Sequence, residues 1–234
     1  MRVLVGTTLA AYVMDNEFTW SSWLRRAEKM RESWPDGVDF FAAIEVDARG
    51  LEPFAPLLER LREVNGSWWT FSLDDGRTEV TTANRLRHIT MGQNLVTDRA
   101  CEGDYSHLLF LAADLLPQED TIPKLVEMDH PIVGGECSTY CLTGPWQRER
   151  YPNYPVEEHM ATAAYVMLRR DLFRFIRWRW DRDAGMSDDP CLYYDAQRYH
   201  GLLTYVRKDV VGRHFPEAIP AIELRGHDCS VVRR

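Results

Sequence analysis

The chain has 234 residues, of which 45% are hydrophobic and 12% aromatic, and its formal net charge is −8. A chain of this length and composition buries roughly 70% of its unfolded surface, which excludes disordered and collagen-like proteins and favours a single domain over residues 1–234. The negative charge argues against a nucleic-acid partner, because binding to phosphates needs a basic face.

Cysteine usage and apolar run lengths indicate the cellular setting. The cysteines form no Cys-x-x-Cys pair, and their number is odd: Cys101, Cys137, Cys141, Cys191 and Cys229. This pattern predicts reduced, mostly buried thiols and a cytoplasmic protein. No apolar run approaches the ~20 residues that span a bilayer, and the N-terminal pattern indicates a strand instead of a signal peptide. We therefore expect no membrane span.

Strand and helix patterns alternate in the first half of the chain. Strands are predicted at residues 2–5, 39–46, 68–73 and 107–112, and helices at 20–33, 53–64 and 81–101. Gly6, Thr7 and Thr8 are expected to end the first strand. The segment HLLFLA at 107–112 is apolar throughout, as in a central strand covered on both faces. This alternation predicts an α/β fold with a mostly parallel central sheet flanked by helices.

The pattern changes after residue 130. Strands are predicted at residues 131–135, 161–168 and 203–211, and a loop rich in Pro, Tyr and Gly occupies 138–158. A loop of that length in a compact domain is often a functional lid. Arginines crowd the following segment: Arg169, Arg170, Arg174, Arg177, Arg179 and Arg182. They fit either a solvated face or a patch that touches phosphate or an acceptor.

Six stretches follow one another in a recognisable order. They are RHITMGQNLVTDRA, YSHLLFLAADLLPQEDTIPKL, PIVGGECSTY, ATAAYVMLRRDLF, SDDPCLYYDAQRYHGL and VRKDVVGRH. This order resembles that of GT-A-type glycosyltransferases, in particular inverting, family 2-like enzymes, over residues 1–215. The resemblance implies a GT-A-like (Rossmann-like) single domain. Residues 1–115 would form its nucleotide-binding half, and 116–234 its acceptor-side half and C-terminal tail.

The resemblance implies transfer of a sugar from a nucleotide-diphosphate donor, with a UDP-sugar expected, to a hydroxyl of a sugar, protein or small-molecule acceptor. It also implies that Asp114 and His214 bind manganese or magnesium, with His227 as a competitor for the His214 role. Independently, Asp114 follows the central strand, and ligands of open α/β sheets bind beyond the carboxyl ends of strands. A divalent ion bridging the phosphates would act there as a Lewis acid.

The acidic motif departs from the family pattern at its first position. It is Ala112-Ala113-Asp114, so Ala112 stands where the family has an Asp that approaches the ribose or the metal. The last Asp, which faces the metal in the family, is present as Asp114. This departure leaves open a weaker metal dependence or a relative without activity.

The acidic pair Asp188 and Asp189 is the candidate catalytic centre. The resemblance implies that Asp189 is the base that takes the proton of the acceptor hydroxyl, with Asp188 as support or as an alternative base. Both residues equally suit the first turn of a helix, where Pro190 is well tolerated. The two interpretations are compatible.

Further residues are candidates for contacts with the donor. Thr7, Thr8, Asp47 and Asp74 are expected at strand ends, where polar turn residues are also common. Arg87 and Asn94 lie seven residues apart on one helix face, so Arg87 could reach a phosphate and Asn94 could anchor the helix beside Asp114. Trp146, in the long loop, could stack on a sugar. Solvation or core packing is the alternative for each.

Two other functions remain open. A sugar nucleotidyltransferase usually has a Gly-rich, basic loop after its first strand, but here that segment is GTTLAAYV, with one Gly and no basic residue. A non-catalytic nucleotide- or carbohydrate-binding protein on the same scaffold is supported by Ala112. Turnover of a nucleotide sugar would distinguish an enzyme from a pure binder.

Overall fold

The computed structural model describes most of the chain. The described residues are 1–10, 17–72, 82–113, 115–137, 164–181, 183 and 188–214, without the side chains of 17–23, 82–85, 136–137 and 213–214. Several positions singled out from the sequence lie outside this set: Asp74, Asp114, Trp146, His227 and the predicted loop at 138–158.

One sheet of eight strands runs through the described residues. Its strands are β1 (Val3–Leu9), β2 (Val38–Glu45), β3 (Ser67–Phe71), β4 (His107–Leu111), β5 (Leu115–Leu116), β6 (Ile132–Cys137), β7 (Tyr165–Arg169) and β8 (Tyr205–His214). Their spatial order is β3-β2-β1-β4-β7-β6-β8-β5. The pairs β1–β2, β2–β3, β1–β4 and β6–β8 are parallel, whereas β7 is antiparallel to β4 and β6, and β5 to β8. The predicted α/β fold with a mostly parallel sheet is confirmed.

Helices connect these strands. The described helices are α1 (Glu17–Glu32), α2 (Ala55–Glu63), α3 (Thr82–Glu102), α4 (Thr121–Glu127) and α5 (Asp188–His200), with 3-10 turns at Glu52–Phe54 and Arg170–Leu172. Three of the described helices end at a residue with a left-handed backbone, one of them α4, which is followed by Asp129 with φ 49°. Asn65 has φ 56° after α2, and Gly201 has φ 63° after α5, where its N–H donates to Gln197 O. Asn and Gly tolerate this conformation best, so these residues stop the helices.

The sheet separates two apolar layers. Successive strand residues point to opposite faces, so Val3 and Val5 join the layer under α1, α2 and α4, while Leu4 joins the layer under α3 and α5. All three side chains are fully buried. Full burial of such a side chain contributes about 1.5–3 kcal/mol to folding. Apolar strands covered on both faces therefore hold β1 and β4 at the centre.

The first strand is longer than its sequence suggests. Gly6, Thr7 and Thr8 were expected to end it, but this was wrong, because β1 continues to Leu9. Gly6 serves packing instead of a turn: a Cβ there would stand 2.2 Å from Val96 Cγ1 of α3. The glycine thus lets α3 approach the sheet, and the two threonines keep the extended conformation that β-branched residues favour.

Candidate functional site

The carboxyl ends of six strands meet at one edge of the sheet. β1 to β4 run in one direction, and β6 and β8 run with them because β7 reverses between β4 and β6. We call this edge the carboxyl edge. Open α/β sheets bind their ligands there, so it is the candidate site.

Leu115, the residue after Asp114, meets the backbone of His214 at the carboxyl edge. Leu115, the chain neighbour of Asp114, pairs with His214 in an antiparallel register, and Leu116 pairs with Arg213. Directly opposed residues of such a ladder have Cα atoms about 4.5–5.5 Å apart. The register therefore brings together the two parts of the chain that carry the predicted metal ligands.

Backbone contacts hold β5 against the end of β8. A Cβ at Gly212 would stand 2.7 Å from Leu115 Cδ2, so glycine is needed for the close packing of β5 on β8. The N–H of Leu115 donates to Ala112 O at 3.1 Å, and the N–H of Ala112 donates to Ala164 O at 2.9 Å. These bonds hold the chain on both sides of residue 114. Ala112, at the first position of the motif, is half-buried at this edge.

Metal binding where β5 pairs with the end of β8 stays a prediction. Among the side chains that the structure describes, no three His, Cys, Asp or Glu residues converge as a metal site. Asp114 and the side chain of His214 are not among them. A carboxylate and an imidazole are nevertheless a donor set that suits manganese or magnesium together with phosphate oxygens.

The acidic pair opens α5 and contacts α3. Asp188 is only 8% exposed, and its Oδ2 accepts a hydrogen bond of 2.7 Å from Nε2 of Gln93. A carboxylate withdrawn from water needs such donors. Asp189, the next residue of the turn, is half-buried. The structure thus holds Asp188 against α3 and leaves Asp189 as the more accessible carboxylate of the pair.

Tyr193 lies one helical turn after Asp189. Its side chain is 2% exposed, and its hydroxyl has no hydrogen-bond partner within the described part of the chain. Burial, followed by the negative charges of Asp189 and Asp188, raises the pKa of Tyr193 well above its ordinary value. Tyr193 therefore keeps its proton and remains a potential donor close to the acidic pair.

The two threonines of β1 occupy different environments. Thr7 is fully buried, whereas Thr8 is half-buried beneath α3, where a Cβ at Gly92 would stand 2.2 Å from Thr8 Cγ2. Neither hydroxyl has a partner among the described residues. Both hydroxyl oxygens are buried, and that of Thr8 lies against α3, so neither is presented to a donor at the carboxyl edge.

Three other candidates have distinct surroundings. Asp47 follows β2 in a turn and forms an ion pair of 2.7 Å with Arg49, whose hydrogen bond holds the pKa of Asp47 below its ordinary value. Arg87 is exposed on α3. Asn94 donates from Nδ2 to Trp178 O and accepts at Oδ1 from Trp178 N, both at 2.9 Å. Asn94 therefore anchors α3 to the segment before α5.

Comparisons with known proteins support the fold. No protein-family profile matches the chain, and no curated protein matches it by sequence. The structure of S. aureus TarS 1–349 matches with a TM-score of 0.55 and 9% identity, over 93% of this chain and 62% of that one. The inositol-1-phosphate CTP transferase from T. maritima matches with a TM-score of 0.50 and 9% identity, over 96% and 93%. The chain thus spans less than two thirds of the TarS structure.

The chain has a GT-A-like fold. In this GT-A-like fold the arginine-rich segment is largely ion-paired. The pairs are Arg169 with Asp171, Arg170 with Asp104, Arg177 with Asp98 and Arg179 with Asp195. The pair of Arg179 is bidentate, at 2.7 and 2.8 Å, and joins the segment to α5. Four of the six arginines therefore have acidic partners, and Arg182 lies outside the described residues.

A groove of about 730 Å³ lies at the opposite edge of the GT-A-like sheet. Its lining includes His107, the first residue of β4, and Arg169, the last residue of β7, which pair across the sheet. Burial, reinforced by Arg169, lowers the pKa of His107. Because the groove opens at the amino ends of the main strands, it is separate from the candidate site.

Sequence reasoning missed several polar residues of the GT-A-like core. Gln93 and Tyr193 were not singled out, and neither was His88, whose Nδ1 contacts Glu45 Oε1 at the end of β2. The signal for Gln93 was available: a polar residue on the buried face of a helix, four residues before the buried Thr97.

No helix among the described residues is long and apolar enough to cross a membrane.

Proposed function

We propose that the chain is a glycosyltransferase that moves a sugar from a nucleoside-diphosphate donor, with a UDP-sugar expected, to an acceptor hydroxyl. The observation that carries the proposal is the pairing of Leu115 with His214 at the carboxyl edge of a GT-A-like sheet. This pairing puts the chain neighbour of a carboxylate and an imidazole at the edge where such sheets bind ligands. The acceptor is a sugar, a protein or a small molecule.

The acidic pair supplies the acid–base chemistry of the proposal. Asp189 takes the proton of the acceptor hydroxyl while the acceptor oxygen forms a bond to the anomeric carbon. The bond between that carbon and the diphosphate oxygen breaks, and its electron pair leaves with the nucleoside diphosphate. Because one base and a single displacement are involved, the anomeric configuration is inverted. Asp188 holds the start of α5 through its contact with Gln93.

The leaving diphosphate needs its charge offset. Asp114 and His214 would hold a divalent ion, manganese or magnesium, which when bound supplies that positive charge as a Lewis acid. A donor contact is assigned to Arg87, whose exposed guanidinium has the chemistry for phosphate oxygens. The other donor candidates stay predictions from the sequence: Thr7, Thr8, Asp47, Asp74, Ala112 and Trp146. Asn94 is instead the anchor between α3 and Trp178.

Two alternatives have specific support. Ala112, in place of the first acid of the motif, favours a protein that binds a nucleotide or carbohydrate without turnover. The likeness to a CTP transferase over 93% of that chain favours nucleotidyl transfer. The products separate all three: glycosyl transfer releases a nucleoside diphosphate, nucleotidyl transfer releases pyrophosphate from a triphosphate, and a binder releases neither.

The deciding experiment measures product release from a panel of UDP- and other nucleotide sugars with manganese, with and without acceptor sugars. Asp189→Asn keeps the shape of the side chain and removes the base, so transfer should fall by about 10²–10⁴. The matched control is Asp183→Asn, at an exposed acid of the segment before α5, which should keep wild-type turnover. NMR of the product should show an inverted anomeric configuration. Normal turnover of Asp189→Asn, or retention of configuration, contradicts the mechanism.

A further inference from the structure

Gln93 is a buried neutral partner of the acidic pair. It lies in the middle of α3, is 1% exposed, and donates from Nε2 to Asp188 Oδ2 at 2.7 Å. An ionised carboxylate only accepts hydrogen bonds, so the amide must present its NH₂ group to Asp188. Its Oε1 is left without a partner within the described chain. The amide orientation is therefore set by Asp188.

Asp188 lies between the first turn of α5 and the buried face of α3. α5 contributes the negative charge of the Asp189 carboxylate and the hydroxyl of Tyr193, which keeps its proton. The guanidinium of Arg179, in the segment before α5, binds the carboxylate of Asp195 on the same helix. α3 contributes the neutral Gln93. Gln93 therefore supplies a hydrogen bond to a carboxyl group that is withdrawn from water.

We propose that Gln93 is a positioning residue for Asp189: by holding Asp188 against α3, it fixes the first turn of α5 and thereby the direction of the Asp189 carboxylate. The inference rests on the proposed function. Gln93 does not touch the substrate and acts through the backbone shared by two adjacent residues of one helical turn. Small displacements of a catalytic group are costly, since a shift of about 1 Å lowers a rate by roughly 10²-fold.

Two substitutions of Gln93 and one control test this role. Gln93→Leu removes the donor at similar volume. It should lower kcat roughly 10- to 100-fold while the KM for the donor stays within about twofold. In Gln93→Glu the introduced carboxyl group donates to Asp188 only when it is protonated, and it repels Asp188 when ionised. This variant should therefore regain activity at acidic pH and lose it as the pH rises.

The control is Thr97→Val, one turn further along α3. Thr97 is fully buried, and its Oγ1 accepts a hydrogen bond of 3.0 Å from Trp178 Nε1 and donates one of 2.9 Å to the backbone O of Gln93. The variant therefore loses buried contacts of the same layer but keeps the Gln93 side chain and Asp188. It should lower Tm as Gln93→Leu does, with the wild-type pH profile of kcat. A circular dichroism melt of every variant verifies folding.

The outcomes separate this proposal from the proposed function. If wild-type transfer is lost in Asp189→Asn but both Gln93 variants keep the wild-type kcat and pH profile, only the role of Gln93 is overturned. The role of Gln93 is likewise overturned if Thr97→Val shows the same change in the pH profile of kcat as the Gln93 variants. If the wild-type chain transfers no sugar, or Asp189→Asn transfers normally, the proposed function fails and the role of Gln93 fails with it.

Discussion

Leu115 and His214 are directly opposed on the neighbouring strands β5 and β8, although nearly half of the chain separates them. The hydrogen bond from Leu115 N to Ala112 O connects this residue pair to the end of β4 at the centre of the sheet. The residues that flank position 114 in the chain are therefore both fixed, and β8 ends opposite Leu115. This is the geometry on which a shared metal ion would depend.

Asp114→Ala should remove the gain in UDP affinity that manganese provides, since the carboxylate supplies ligand charge to a hard cation. We expect at least a tenfold loss of affinity in the presence of manganese, which corresponds to about 1.4 kcal/mol. Calorimetric titrations with and without the metal measure it. The control is Glu119→Ala, at an exposed acid of the same connection that pairs with Lys29 and Arg26. Unchanged metal dependence in Asp114→Ala would show that Asp114 is not a ligand.

Ala112→Asp restores the missing acid of the motif and should strengthen or preserve the metal dependence. Ala112 is half-buried and makes its described hydrogen bonds through its backbone, so the chain should still fold. Ala113→Asp is the contrast, because Ala113 is 5% exposed and an unpaired charge there should cost about 3–5 kcal/mol. Circular dichroism and a manganese titration of both variants check this. Unfolding of Ala112→Asp would mean that residue 112 is as tightly packed as its neighbour.

The sheet itself was predictable because its signals are local. The apolar segment HLLFLA became β4, and each predicted helix or strand of the first half lies within a few residues of its observed bounds. The end of β1 was not predictable in the same way, since Gly6 in a sequence signals a turn as readily as close packing against Val96. Only the tertiary contact with α3 distinguishes the two.

The carboxyl edge follows from the predicted strand order, whereas the contacts around it could not be predicted from the sequence. Strand order alone places the carboxyl edge, whereas the register of Leu115 on His214 depends on residues far apart in sequence. The contact between Gln93 and Asp188 has the same origin, because α3 and α5 meet only after the sheet is assembled. Local patterns carry no information on such pairings, so the residues that support the acidic pair appear only in the folded chain.

Arg87 should bind the donor without stabilising the fold, whereas Asn94 should stabilise the fold as an anchor of α3. Asn94→Leu removes two hydrogen bonds to the backbone of Trp178 and should lower the free energy of unfolding by about 1–3 kcal/mol. Arg87→Ala, at an exposed position of the same helix, should change it by less than about 0.5 kcal/mol while weakening donor binding. Urea denaturation followed by tryptophan fluorescence gives the first quantity, and calorimetry the second. Equal stability losses would contradict this division.

His107 should make the protein less stable in mild acid. It is 7% exposed at the start of β4, and burial, followed by the positive charge of Arg169, lowers its pKa below the ordinary value of about 6.5. The unfolded chain therefore binds a proton near pH 6.5 that the folded chain does not. The stability contributed by neutral His107 is complete above that pH and is lost as the pH falls through the lower, folded-state pKa.

The slope of this decline is at most about 1.4 kcal/mol per pH unit for one proton. His107→Gln has no titrating group and should flatten the decline below pH 6.5, as measured by urea denaturation at a series of pH values. The matched control is His200→Gln, at an exposed histidine at the end of α5, which should keep the wild-type slope. Carboxylates such as Asp171 titrate at lower pH, because Arg169 holds the pKa of Asp171 below its usual range. A wild-type slope in His107→Gln between pH 5 and 6.5 would therefore assign the decline to another group.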